Sequence, residues 1–116
     1  MIVIDNIALF TGHADQYYPA GSVVIEGNLI RFAGPREARP ELSPDATVVD
    51  GKGAFLMPGM VESHAHLSYT NNGPLELDKS PVEEVMIKTI NNARIMLGSG
   101  FTAALGLGSV HRVDAF

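Results

Sequence analysis

The stretch MVESHAHLS, residues 60–68, closes the longer apolar segment FLMPGMVESHAHLS, residues 55–68, and decides how the rest of the chain is interpreted. Its composition is typical of a strand, in which the side chains at i and i+2 project from the same face. We therefore expect His64 and His66 to point the same way and Ala65 to point to the opposite face. Two neutral imidazoles that converge from one strand can chelate a divalent cation.

A His-x-His pair also arises by chance, so the alternative is a pair of hydrogen-bonded surface histidines. The context favours ligands, because the pair follows Pro58-Gly59, ends an apolar strand and precedes a loop and a helix. Proteins with parallel sheets place their active sites at the C-terminal ends of the strands. The motif therefore predicts a metal site rather than a surface feature.

The composition narrows the class of protein. The 116 residues are 46% hydrophobic with a net charge of −5, which indicates a globular chain and argues against nucleic acid or an anionic membrane as partner. No apolar run approaches the ~18 residues of a membrane span. The chain has no cysteine, so a metal must be bound by His, Asp or Glu. These features lead us to expect a cytoplasmic protein.

Residues 1–54 are rich in short apolar runs of strand character. Gly27-Asn28 separates two of these runs and predicts a tight hairpin, because both residues tolerate positive φ. Residues 34–46 contain three prolines and predict a surface loop. Gly-Lys-Gly at 51–53 predicts a turn between two further strands.

The second half changes character. Residues 81–97 show helical periodicity, with Ser80 as the predicted N-cap, Pro81 at the first helical position and Glu83 completing a capping box. The predicted apolar stripe consists of Val82, Val85, Met86, Ile90, Ala93 and Leu97. FTAALGLG, residues 101–108, reads as a buried strand. Strand, helix and strand in this order predict a parallel βαβ crossover.

GKGAFLMPGMVESHAHLS, residues 51–68, resembles the signature at the start of the barrel in the amidohydrolase superfamily. The resemblance implies an α/β fold in which residues 1–54 form part of a β-sandwich. Residues 55–116 would then be the first strand, helix and second strand of a (β/α)₈ TIM-like barrel that is incomplete in this chain. It also implies that His64 and His66 are the first two metal ligands. Glu62 stands where many members have Asp, and we expect it to be a packed or hydrogen-bonded carboxylate.

The same resemblance implies a metal-dependent hydrolase that acts on C–N bonds of small-molecule substrates, such as amides, cyclic amides or amidines, through a metal-activated water. Zinc is the first choice of metal, although the ligand type alone does not select it. The family's remaining ligands and its proton-shuttling aspartate follow later in the sequence, so no catalytic base is assigned here. A barrel needs about 250 residues. We therefore expect a complementary chain or further residues to complete the barrel, and activity only in the completed protein.

Two alternatives stay open. One is a non-catalytic interaction or binding module that retains the motif, and the other is a small self-contained metal-binding β-protein. The other polar candidates are predicted to be surface or capping residues: His13, His111, Glu76, Asp78 and Asp114. Gly106 and Gly108 lack the third glycine of a nucleotide loop and predict a close backbone approach at a strand end.

Overall fold

A computed structural model describes residues 1–13, 15–71, 76 and 79–114. The chain divides into two compact units, Met1–Pro58 and Gly59–Phe116. Together they form a strand-rich mixed α/β structure. Within the described part of the chain, no helix combines the length and the apolar character that crossing a bilayer would require.

The first unit is built on one four-stranded sheet. Its strands are β1 (Ile2–Phe10), β2 (Tyr17–Glu26), β3 (Leu29–Pro35) and β4 (Thr47–Leu56), with a short 3₁₀ turn at Arg36–Ala38. The order across the sheet is β3-β2-β1-β4, in which β1 and β2 and β2 and β3 are antiparallel and β4 is parallel to β1. Glu26 pairs with Leu29 and Gly27 has a φ of 60°, which confirms the predicted hairpin.

The predicted turn at 51–53 is wrong, because β4 continues through these residues as a bulge. The β1–β4 register shifts between the pairs Asp5–Asp50 and Ile7–Ala54. The Asp50 carboxylate accepts hydrogen bonds from the Asn6 side chain (2.7 Å) and the Lys52 backbone N–H (2.9 Å). Both bonds lower the pKa of Asp50, and the bond from the Lys52 N–H has the larger effect. The bulge therefore absorbs the glycines without ending the strand.

The core of the first unit forms around Ile7, Leu9 and Val23, which are buried. The first unit also buries the carboxylate of Asp5, which accepts a hydrogen bond from Arg39 and pairs with Arg36 at 3.7 Å. Burial alone would raise the pKa of Asp5, but the Ser22 hydroxyl and the two guanidinium groups outweigh it and hold the pKa below its usual value. The ion pairs tie the 3₁₀ segment to the sheet.

The second unit contains β5 (Met60–Ala65), α1 (Val82–Gly98) and β6 (Phe101–Gly106). Strands β5 and β6 are parallel and joined through α1, so the predicted parallel βαβ crossover is confirmed. The start of the helix differs from the prediction. Pro81, not Ser80, occupies the N-cap position, and no side chain caps the helix there. The predicted capping box is therefore absent.

Most of the predicted apolar stripe of α1 is not buried within the described structure. Val85 is fully buried and packs with Val110, Val113 and the half-buried Tyr69. Thr89 is the other buried residue of the helix, and its hydroxyl donates to the carbonyl oxygen of Val85 (2.8 Å). Large apolar side chains remain exposed on the helix: Val82, Met86, Ile87, Ile90, Ile95 and Leu97.

The junction between the two predicted regions falls inside β4. Phe55 and Leu56 still pair with β1, opposite Ala8 and Leu9, so the first sheet extends two residues beyond position 54. The assignment of 1–54 to a sandwich and 55–116 to a barrel stays a prediction. Asp78, a predicted cap or surface residue, lies outside the described residues.

Candidate metal-binding site

The two histidines lie at the C-terminal end of β5, as the strand periodicity indicates. His64 is in the strand, and His66 follows its last residue, Ala65, which is buried. The Nε2 atoms of the two rings are 3.2 Å apart, and the rings meet edge to face with centroids 5.1 Å apart. The structure therefore brings both imidazoles to one point.

The ring of His66 is held by two contacts. Its Nδ1 atom lies 3.0 Å from the carbonyl oxygen of Gly108, just beyond the end of β6. Its face stacks on Tyr69, with centroids 4.5 Å apart and only 9° between the planes. Leu107 N–H also donates to the Ala65 carbonyl (3.0 Å), which continues the β5–β6 pairing to this point. The orientation of the ring is thus determined by residues from both strand ends.

The contact with Gly108 determines the tautomer of a neutral His66. A carbonyl oxygen only accepts, so Nδ1 of His66 must carry the hydrogen that it donates. Nε2 then keeps its lone pair and faces His64. Metal-bound histidines show this same arrangement, in which the second ring nitrogen donates to a carbonyl or carboxylate.

The donor set fits a divalent cation. Two imidazole nitrogens that bind one zinc ion tetrahedrally at about 2.0–2.1 Å lie about 3.3 Å apart, and the observed separation of the His64 and His66 Nε2 atoms is 3.2 Å. Among the described residues, no group of three or more His, Asp or Glu side chains gathers into a complete metal site. Within the described residues, the candidate site therefore consists of the two histidines alone.

Glu62 lies in β5 with His64, and its carboxylate already accepts a hydrogen bond within the strand. Its Oε1 atom accepts a hydrogen bond from the backbone N–H of His64 at 3.0 Å. This agrees with the expected hydrogen-bonded carboxylate. The bond holds Glu62 to the backbone of its own strand.

The remaining polar candidates within the described residues include His13, His111 and Asp114. His13 is exposed in a turn before β2, as predicted. His111 is also exposed, with a φ of 61°, and its Nε2 contacts the Ser80 carbonyl oxygen at 3.2 Å. Asp114 is half-buried near Gly106. A Cβ atom added to Gly106 would lie 3.6 Å from the Asp114 Oδ2 atom. None of these three side chains has a described contact with His64 or His66.

Sequence reasoning did not identify the residues whose hydrogen bonds fix the segment that follows His66. The Asn92 amide, on α1, donates to the carbonyl oxygens of Leu67 (2.8 Å) and Tyr69 (2.9 Å). Ser68 is fully buried, and its hydroxyl accepts a hydrogen bond from the Val110 N–H at 2.9 Å. The only signal was an asparagine inside a helix, where its intrinsic propensity is poor.

Comparison with known proteins supports the resemblance. No family model matches the chain. A 5-methylthioadenosine/S-adenosylhomocysteine deaminase from Symbiobacterium thermophilum is 42% identical over 60 residues, which cover 52% of this chain and 13% of the relative. An imidazolonepropionase from Shewanella frigidimarina is 32% identical over 62 residues, which cover 53% of this chain and 15% of the relative.

A crystal structure of an amidohydrolase superimposes with a TM-score of 0.76 and 27% identity, over 92% of this chain and 25% of that one. The relatives and the solved structures point to the amidohydrolase superfamily, whose N-terminal portion this chain matches. The chain spans about an eighth to a quarter of the length of these proteins.

Proposed function

We propose that the chain is the N-terminal part of a metal-dependent hydrolase of the amidohydrolase type, which cleaves C–N bonds and to which His64 and His66 contribute the first two metal ligands. The observation that carries the proposal is the 3.2 Å separation of the two Nε2 atoms at the C-terminal end of a parallel strand. Enzymes of this superfamily typically use a divalent metal, which supports it. Zinc is our first choice.

The residues of the candidate site have distinct parts in this proposal. A divalent cation held by the pair would lower the pKa of a bound water and polarise the bond to be cleaved. Gly108 and Tyr69 orient the His66 ring so that its Nε2 atom faces His64, and the two Nε2 atoms would hold the cation. Glu62 is held to the His64 N–H, so we assign it no proton transfer, and no catalytic base is assigned within the chain.

We propose a small-molecule substrate bound at the ends of β5 and β6. A cavity of about 460 Å³ lies beyond β6 and is lined by Gly106, Gly108, Ser109, Arg112 and Asp114. Gly108 both lines this cavity and holds His66, so a ligand there would sit close to the histidine pair. One relative is named a deaminase, which supports C–N bonds of amides, cyclic amides or amidines as the substrate class.

We further propose that a complementary polypeptide completes the barrel around this unit. The support is the exposure of apolar side chains on both strands, such as Val61 (66%) on β5 and Leu105 (56%) on β6, and of Leu107 (53%) just beyond β6. Parallel sheets are stable when both faces are covered. The covering polypeptide would also bring the remaining ligands, in a protein that we expect to be cytoplasmic.

The test compares His64→Ala and His66→Ala with the matched control His13→Ala in the intact protein. Loss of an outer partner of a metal ligand costs about 10–100-fold in affinity, so loss of a ligand should cost at least that much. We expect zinc affinity, measured by chelator competition, and hydrolysis of cyclic amides and amino-substituted heterocycles to fall in both variants. His13→Ala should retain both.

Unchanged metal affinity and hydrolysis in both histidine variants would overturn the proposal. Metal binding that depends on His64 and His66, but with no hydrolysis of any C–N substrate, would favour the alternative of a non-catalytic binding module.

A further inference from the structure

We infer that Asn92 is a positioning residue for His66: it clamps the turn after β5 and so fixes the Tyr69 ring against the imidazole. The inference rests on the proposed function, because it concerns the orientation of a proposed metal ligand. It starts from the half-buried side-chain amide of Asn92, which lies on α1 near the middle of the helix.

The Asn92 amide makes two hydrogen bonds to one turn. Its Nδ2 atom lies 2.8 Å from the Leu67 carbonyl oxygen and 2.9 Å from the Tyr69 carbonyl oxygen. The turn itself is closed by the Tyr69 N–H, which donates to the His66 carbonyl oxygen at 3.0 Å. Both hydrogens of the amide group are therefore used to hold the three residues that follow His66 against the helix.

The clamp reaches His66 through Tyr69. The Tyr69 ring lies face to face with the imidazole at a centroid distance of 4.5 Å. Tyr69 also packs against the buried cluster Val85, Val110 and Val113. With its backbone held by Asn92 and its ring held by this cluster, Tyr69 blocks rotation of the His66 ring away from Gly108.

The residue type at position 92 matters. Only a side chain with two hydrogens on one nitrogen can donate to both carbonyl oxygens from this position, and asparagine provides this at the reach that the structure requires. Asn91 is the same residue type on the same helix but is exposed. It is a control matched in residue type and in the charge that a substitution to aspartate introduces.

A ligand that is already oriented binds a cation without first losing rotational freedom. When the clamp is removed, the turn and the Tyr69 ring relax, and the His66 ring gains orientations that do not face His64. We therefore expect affinity for the cation to fall, even though Asn92 touches neither histidine.

The experiment uses Asn92→Asp, Asn91→Asp and His66→Ala in the intact protein. Aspartate has the shape of asparagine but cannot donate to the two carbonyl oxygens. Two quantities are measured: zinc affinity by chelator competition, and the ring resonances of the histidines by NMR in metal-free protein. Thermal unfolding of each variant establishes that it is folded.

We expect Asn92→Asp to weaken zinc binding by about tenfold, the lower end for an outer partner. It should also shift the His66 ring resonances, because the stacked Tyr69 ring moves, while those of His13 and His111 stay unchanged. Asn91→Asp should alter neither quantity. If Asn92→Asp does not fold, Asn92→Ala, which removes the donor without adding a charge, undergoes the same two measurements.

Unchanged zinc affinity and His66 resonances in the folded Asn92 variant would overturn the inference. His66→Ala separates this result from failure of the proposed function. If His66→Ala weakens zinc binding and the Asn92 variant does not, only the positioning role fails. If His66→Ala has no effect on zinc binding, the proposed metal site itself fails.

Discussion

The carbonyl oxygen of Gly108 and Nδ1 of His66 lie 3.0 Å apart, although the two residues are 42 positions apart in the chain. This hydrogen bond joins the end of β6 to the end of β5 through the side chain of a proposed ligand. It also determines which ring nitrogen of His66 faces His64. The parallel pairing of the two strands is therefore a requirement for the geometry of the site.

The first prediction concerns Tyr69, which stacks on His66 and packs against the buried valines. Tyr69→Phe keeps the ring, so zinc affinity and stability should stay close to those of the parent. Tyr69→Ala removes both contacts and should lower the free energy of unfolding by about 2–4 kcal/mol, since the ring is only partly buried. Zinc affinity by chelator competition and chemical denaturation measure the two effects. If Tyr69→Phe lowered zinc affinity and stability as much as Tyr69→Ala, this explanation would be contradicted, because Tyr69→Phe removes only the hydroxyl.

The second prediction concerns Gly59, the residue that immediately precedes β5. A Cβ atom added there would lie 2.2 Å from Oγ1 and Cγ2 of Thr102, at the start of β6. Gly59→Ala should therefore force the paired strands apart and cost about 1–3 kcal/mol of stability. The control is Gly98→Ala, because an added Cβ there meets nothing within 4 Å at the end of α1. It should be neutral or stabilising by about 0.5–1 kcal/mol. Equal unfolding midpoints for the two variants would show that the close approach is relaxed at no cost.

The third prediction concerns the buried carboxylate of Asp5, whose pKa lies below its ordinary value of 3.8. A group whose pKa is lowered by folding contributes stability that is fully present above its unfolded pKa. This contribution is lost as the pH falls through the folded pKa. The Asp5 contribution should therefore be constant near neutral pH and decline progressively as the pH falls below about 4.

Asp5→Asn tests this prediction against the exposed control Glu41→Gln, which removes the same charge. At neutral pH Asp5→Asn should cost about 1–3 kcal/mol, because it weakens the bonds to Arg36 and Arg39. Thermal unfolding from about pH 7 to about pH 3 should show the gap between parent and Asp5→Asn closing as the pH falls. A gap that widens in acid would contradict the prediction, because it would mean that Asp5 stabilises the fold more at low pH than at neutral pH.

The fourth prediction concerns residues 1–116 expressed by themselves. Exposed apolar side chains on α1, such as Ile87 (61%) and Ile95 (67%), and on β6 should make this polypeptide self-associate and bind hydrophobic dyes. Sedimentation measures the self-association, and thermal unfolding measures whether the polypeptide has a cooperative transition. A monomer with a cooperative transition would contradict the proposal that the barrel is completed by further polypeptide.

The local elements could be predicted from the sequence because short-range rules govern them. Gly27-Asn28 predicts the hairpin, since the turn needs a residue that adopts positive φ. The helical periodicity locates α1, although the capping motif misplaces its start, because Pro81 takes the cap position without any side-chain hydrogen bond. The spacing of two residues puts His64 and His66 on one face, since side chains alternate along a strand.

Only the tertiary structure decided which distant segments meet. Residues 51–53 form a bulge rather than the predicted turn, because β4 continues to pair in parallel with β1 on both sides of them. The bond from His66 to Gly108 and the clamp from Asn92 join residues that are 42 and up to 25 positions apart. Periodicity reports the face on which a residue lies but not its partner across space. The sequence by itself therefore determined the residue type of the proposed ligands and the face on which they lie, and packing determined the orientation of their rings.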